Sequence, residues 1–382
     1  MMNTRFGGVS GTGPPSQSAS IGYLRVVPDF GDLIDFYRSY GASSFADDEP
    51  AYAEVCENLG DHPELVELIA GHDPDAQQPN LLFAAVHYLL LGGLDHPLRH
   101  VYDGTSSLPV APVFADAVLT NRSAIDELMQ NERTQTNEVG RSAVVALMLN
   151  DAYQRSQQPL SWIDLGASGG LNLNIDRFRI EYTTGERSIA TGPANAALTL
   201  RCELRNGAPT IPSTHADIAW RVGVDRSPVQ VADPSQARWL QACLWPSQPE
   251  RHARMAAAIT IAQAHPQRII GADAVDGVAQ ALAEAPADTA LVITTTWVWC
   301  YLPEATQKAV LKLVRESGRR VRWYSLEGRG VVAELGQPIE REVIDSLVGR
   351  VEMGGGMPEV STVLGLSHPH GAWLDWYAPE TL

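Results

Sequence analysis

SWIDLGASGGLNLNIDRF, residues 161–178, passes from an apolar strand-like segment into five consecutive small residues, Gly166 to Gly170, and then toward a short helix. Small residues at a strand's end let the chain turn sharply and leave its backbone bare. Three kinds of site share this form: a nucleotide-type cofactor loop, a nucleophile elbow centred on Ser168, and a tight turn without chemistry. The flanking segments narrow the choice.

Upstream, residues 21–156 carry helix signals and almost no strand signals. LIDFYRSY, EPAYAEVCENLG, HPELVELIAG and QPNLLFAAVHYLLLGG each place apolar residues at helical spacing and end near Gly. A further helix over about 138–154, with Thr134 or Thr136 available as its N-cap, closes this half. Residues 21–156 are therefore expected to form a helical N-terminal lobe. The Gly/Ser/Pro-rich residues 1–20 are expected to be a disordered tail.

Downstream, SWIDLGAS, DIAWRVGVDRSPV, QRIIGADAV, TALVITTTWVW and RRVRWYSLEG hold five strands in succession. Helical stretches begin at Asp233, at Ser247, where SQPE has capping-box spacing, and in EATQKAVLKLVRESG. EVSTVLGLS and AWLDWYA flank HPHG and read as a hairpin. Strands alternating with helices predict an α/β domain over 157–382 built on a mostly parallel sheet covered on both faces. A β insertion containing LTLRCELRNG is expected at about 183–217.

Composition bounds the function. The chain has 382 residues, is 45% hydrophobic and carries a formal charge of −17. That charge lacks the basic excess a nucleic acid or an anionic membrane surface would call for. Cys56, Cys202, Cys243 and Cys300 lie far apart without a C-x-x-C pair, so neither a disulfide framework nor a metal site is expected. No stretch has the length of a membrane span, and a cytoplasmic enzyme with a small-molecule substrate fits these features.

The loop itself discriminates further. The nicotinamide fingerprint G-x-G-x-x-G fails, because counting from Gly166 puts Ser168 and Leu171 at the second and third glycines. G-x-S-x-G fits on letters, with His368 and His370 later in the chain, yet a hydrolase elbow follows several strands of its own sheet and this one follows helices. A serine hydrolase using Ser168 is therefore the alternative. D-x-G-x-G-x-G, the first motif of class I S-adenosylmethionine-dependent methyltransferases, is similar to Asp164, Gly166, Ser168 and Gly170, departing at Ser168, and the resemblance implies that the α/β sheet is Rossmann-like, of the methyltransferase type. Asp225 at the tip of the second strand and Asp273 at the tip of the third stand where that superfamily places acids toward ribose and adenine; carboxylates accept strongly from hydroxyls. Expected cofactor residues are thus Asp164, Gly166, Ser168, Gly170, Asp225 and Asp273, with S-adenosylmethionine as cofactor. A non-catalytic scaffold with a degenerate loop is the reading from a different class.

LGASGGLNLNIDRF, QTNEVGR at 135–141, RWLQACLWPSQPER at 238–251 and HPHGAWLDW at 368–376 together resemble an actinobacterial family catalogued as domain of unknown function 2332. The resemblance covers most of 25–377, implies the fold just described and carries over no catalytic residue. Geometry ranks the remaining motifs. If the helix near 138–155 runs antiparallel to the first strand, Gln135, Asn137, Glu138 and Arg141 face the ligand edge. HPHG turns at the same edge, and Glu327 ends the fifth strand there. His368, His370, Glu327 and Glu138 are the candidate bases, and Trp297 and Trp299 a candidate apolar or cation-binding wall.

Overall fold

The computed structural model describes residues 30–377 except 47, 208 and 329–345. The expected tail over 1–20 lies outside the described residues. Helices α1 (Phe30–Ser44), α2 (Pro50–Glu57), α3 (Pro63–Ala70), α4 (Pro79–Leu91), α5 (Leu98–Tyr102), α6 (Val110–Thr120) and α7 (Arg122–Asn131) follow one another without a strand. Proline in the first turn of α2, α3 and α4 starts three of them at the one helical position where its missing N–H costs nothing. Their apolar faces meet in one core, where Tyr52 stacks on Phe83 with ring centroids 3.9 Å apart.

The remaining chain runs α8 (Ser142–Ser156), β1 (Leu160–Leu165), β2 (Arg179–Thr184), β3 (Arg187–Thr191), β4 (Thr199–Leu204), β5 (Ile218–Asp225), α9 (Pro234–Ala242), α10 (Pro249–Ala264), β6 (Ile269–Gly271), α11 (Ala274–Glu284), β7 (Ala290–Thr296), α12 (Glu304–Glu316), β8 (Arg320–Glu327), β9 (Ser346–Gly354), β10 (Val360–Ser367) and β11 (Trp373–Trp376). One eleven-stranded sheet results, in the order β3-β2-β4-β11-β10-β9-β8-β7-β1-β5-β6. Its centre, β6-β5-β1-β7-β8, is parallel throughout. β8 to β11 form an antiparallel meander ending in the expected hairpin at HPHG.

Three differences from the sequence reading have physical causes. The insertion begins at Arg179, before the expected 183, and its strands extend the main sheet: β4 pairs parallel with β2 and with β11. β9 was not anticipated, because six consecutive buried residues, Ser346–Val351, erase the alternation that marks a half-exposed strand. α8 was grouped with the lobe, yet its buried residues belong to the core beneath β1, β4 and β7. Ten of its fifteen residues are buried, leaving no polar stripe to orient it from sequence.

α8 runs antiparallel to β1, ending at a left-handed Gln157 (φ 54°) just before that strand, so its start reaches the sheet's C-terminal edge. The lobe is clamped on α9 and on the connection between α9 and α10: Trp239 Nε1 donates to the Arg133 carbonyl at 2.9 Å, Ser247 Oγ donates to Glu49 Oε2 at 2.6 Å, and the Arg238 guanidinium lies 4.1 Å from the Tyr88 ring centroid. These contacts hold the 132–141 connection across the tips of the central strands. No helix among the described residues is long and apolar enough to cross a membrane.

Candidate functional site

Gly166 leaves β1 at φ +83°, and a Cβ there would lie 2.6 Å from Val298 Cγ2, so only glycine admits the β7 connection beside it. Ala167 O accepts from Gly170 N–H at 2.7 Å and closes the turn. Ser168 takes φ +51°, a conformation that costs a non-glycine residue about 1–2 kcal/mol. Three hydrogen bonds offset that cost. Ser168 N–H donates to Asp225 Oδ2 at 2.7 Å, its Oγ donates to Gln135 Oε1 at 2.8 Å, and its carbonyl accepts from Val229 N–H at 3.2 Å. The hydroxyl's partner is an amide and not an imidazole, which is not the arrangement that activates a serine.

Asp225 also receives Ser227 N–H on Oδ1 at 2.8 Å, so each carboxylate oxygen already accepts one backbone donor. Asp273 caps α11, its Oδ1 accepting from Val275 and Asp276 N–H at 2.8 and 3.1 Å. Asp164 is turned into the core, accepting from Thr294 Oγ1 at 2.7 Å while that oxygen accepts from Trp162 Nε1 at 2.7 Å. Burial pushes its carboxyl up to about 7, with Thr294 opposing and Asp225 reinforcing the shift.

A cavity of about 260 Å³ lies at the C-terminal ends of β1, β5, β6 and β7, lined by Gly166, Asp225, Arg226, Asp273, by Val298, Tyr301 and Leu302 from the segment leading into α12, and by Thr306 in the first turn of α12. Of the six expected cofactor residues, Gly166, Asp225 and Asp273 line it; Asp164, Ser168 and Gly170 do not. Asp164 is 5% and Ser168 4% exposed. Those two shape the loop from behind, and Gly170, at φ +67°, closes the turn; a Cβ there would lie 2.9 Å from Ile269 Cδ1.

The candidate bases gather in a second group. The HPHG turn rests directly on the 3-10 turn Val139–Arg141, because a Cβ on Gly140 would collide with the His370 carbonyl and one on Gly371 with the Gly140 carbonyl. Glu138 Oε2 accepts from Arg251 Nε at 2.7 Å and Oε1 accepts from Gly140 N–H at 2.9 Å. Burial disfavours its charge, but Arg251, the Gly140 amide and Arg254 outweigh that and hold the carboxyl below its usual range. Burial and then Arg251 push the His370 imidazole down to about 3 against the pull of Glu138, so the ring is neutral at pH 7 and a weak base. His368 Nδ1 accepts the His370 N–H at 3.0 Å.

Glu327 is fully buried. Its Oε1 accepts from Val298 and Trp299 N–H, each at 3.1 Å, and its Oε2 has no partner among the described residues. Burial pushes the carboxyl up to about 7 despite those two amides and Arg141. Between the two groups stands Arg141, 4% exposed, donating from Nε to the Pro369 carbonyl at 2.7 Å and from Nη1 to the Thr296 carbonyl at 3.2 Å. Trp297, at φ +55°, is held by a 2.7 Å bond from Nε1 to Ser346 Oγ and lies 6.0 Å from the Arg141 guanidinium; Trp299 is core, edge-on to Trp323. A bulky aromatic in the left-handed region marks a site where the surroundings override local preference. Arg254 and Tyr301 were not anticipated. Arg251 and Arg254 occupy the first turns of α10, where the helix dipole disfavours cations, and that anomaly is the signal sequence alone offered for them.

A family model described as an uncharacterized protein conserved in bacteria, DUF2332, matches residues 35–376. The chain belongs to the DUF2332 family. Both groups described above fall inside the matched span, as do the lobe and the sheet. No curated protein and no solved structure matches this DUF2332 chain.

Proposed function

We propose that this chain is an S-adenosylmethionine-binding enzyme, a methyltransferase acting on a small molecule, whose C-terminal domain is Rossmann-like. The observation that carries this reading is the cavity at the C-terminal edge of the parallel strands, with one acid at the tip of β5 and another at the tip of β6. The residues fit the nucleoside part of the cofactor. Gly166 presents bare backbone, Asp273 has Oδ2 beyond its capping bonds, Asp225 faces the same space, and Val224, Val298 and Leu302 are apolar walls for a base. The cavity is smaller than the roughly 300–1,000 Å³ of drug-sized sites, which suits a nucleoside better than the whole cofactor.

When bound, the cofactor supplies a methyl group on a sulfonium. What the chain contributes is position: Asp225 holds the Ser168 loop, and Glu327 holds the Val298–Trp299 amides that form the opposite wall. Glu138 and Glu327 act here as positioning residues, since both already accept backbone donors and neither lines the cavity.

The test is thermal unfolding with S-adenosylhomocysteine on the wild type and on Asp273→Asn, which keeps the capping oxygen and removes the charge. A ligand at about a hundred times its Kd stabilises by roughly 2.7 kcal/mol. The expected result is a rise of several degrees in the wild type and a smaller one in the variant. No rise, with no heat of binding by calorimetry, overturns the reading in favour of a non-catalytic scaffold.

A further inference from the structure

The group around Glu138 holds more positive charge than the protein neutralises. Arg141, Arg251 and Arg254 face this side of the sheet edge, and Glu138 is their shared counter-charge. Arg251 is paired, its Nη2 2.7 Å from Glu138 Oε2. Arg254, its side chain 27% exposed, is not hydrogen-bonded among the described residues: its Nη2 stands 3.7 Å from Glu138 Oε1, and its Nε atom is buried without a partner among them. Arg141, nearly inaccessible, engages two carbonyls through Nε and Nη1 and leaves Nη2 unengaged among the described residues. Glu327, the second acid coupled to Arg141, has one oxygen committed to backbone amides. α10 adds the positive end of a sixteen-residue helix whose N-cap, Gln248, makes no side-chain capping bond.

Guanidinium groups withdrawn from water, wholly as in Arg141 or in part as in Arg254, are ordinarily hydrogen-bonded, and planar donors suit planar or tetrahedral oxyanions best. We infer that Arg254 and Arg141 form an oxyanion subsite, and that the small-molecule substrate carries a carboxylate or phosphate group held there. Its assignment to the substrate rests on the methyltransferase reading, because Arg141 lies between this group and Val298 and Tyr301 of the cofactor cavity. The site itself stands on the donors without a hydrogen bond among the described residues, Arg254 Nε and Nη2 and Arg141 Nη2.

Thermal unfolding in ~10 mM sodium acetate, sodium succinate or sodium phosphate, each against sodium chloride at matched ionic strength, tests it on the wild type and on Arg254→Gln. Arg254 makes no hydrogen bond that the fold would lose, so this variant is expected to fold. The expected result is an oxyanion-specific midpoint rise of roughly 2 °C in the wild type, corresponding to a millimolar Kd, that disappears in Arg254→Gln. A larger response to the carboxylates names one headgroup and a larger response to phosphate the other. A chloride response equal to the oxyanion response, or a rise that survives in Arg254→Gln, overturns the subsite. S-adenosylhomocysteine measured on the same two proteins separates the claims. Nucleoside binding without an oxyanion response removes the subsite alone, and an oxyanion response without nucleoside binding removes the cofactor reading alone.

Discussion

The tips of β1 and β5 and the tips of β7 and β8 lie side by side on one sheet edge but handle polar groups in opposite ways. At β1 and β5 the donors turn inward: Ser168 N–H and Oγ, Ser227 N–H and Gly170 N–H all end on protein acceptors. At β7 and β8 polar groups are left over among the described residues, Glu327 Oε2 and the Nη2 of the Arg141 that donates to the Thr296 carbonyl, and a tryptophan is kept in the left-handed region. A fully satisfied loop is a rigid surface on which a ligand lies; a region with unmatched charge asks for a ligand to complete it. The difference assigns shape to the first region and charge recognition to the second.

The sharpest way to break this comparison is Glu138→Ala. Removing the shared counter-charge leaves Arg251, its side chain only 12% exposed, with Gln248 but no acidic partner, a loss expected to cost about 3–5 kcal/mol in urea unfolding. A cost below about 1 kcal/mol would mean that solvent already neutralises the cluster and that the contrast between the two tips is only geometric.

Glu327→Gln probes the same side through pH. The folded carboxyl titrates at about 7 against 4.5 for an unperturbed group, so the folded state retains a proton that the unfolded state gives up. Its contribution is fully present below pH 4.5 and is lost as pH rises through 7, with a slope of at most about 1.4 kcal/mol per pH unit. Glutamine has no such titration, so between these limits stability is expected to fall less steeply in the variant than in the wild type. Parallel curves would show that Glu327 is ionised throughout.

The smallest effect belongs to the satisfied side. Ser168→Ala removes one hydrogen bond to partly exposed Gln135 and is expected to cost about 1 kcal/mol. A fluorophosphonate probe is expected to leave wild-type Ser168 unlabelled, since its hydroxyl donates to an amide. Labelling would turn this loop into a nucleophile site and erase the distinction between the two tips.

Much of the edge was legible in the chain. The small residues of 166–170, the acids closing β5 and β6, and the HPHG turn all read correctly as ends of strands, because turn chemistry and strand length are local properties. The roles of those acids were not legible. Asp164 and Asp225 carry the same side chain, yet one is sealed beneath Thr294 and the other borders a cavity. Nor could α8 be assigned to the sheet, because a helix buried on most of its surface has no face that says which core it serves.

By itself the sequence determined the order of the central strands and of the helices between them, the parallel centre of the sheet and the points where the chain must turn, since periodicity and backbone freedom act over a few residues, whereas α5, α6, α7 and β9 emerged only in the structure. Only the tertiary structure decided which polar atoms are satisfied. Ser168 meets Asp225 across 57 positions, Arg251 meets Glu138 across 113, and Arg141 meets the carbonyl of Pro369 across 228. Pairings over such separations are set by how the sheet closes and what it buries, and they determine which charges the protein neutralises and which remain for a ligand.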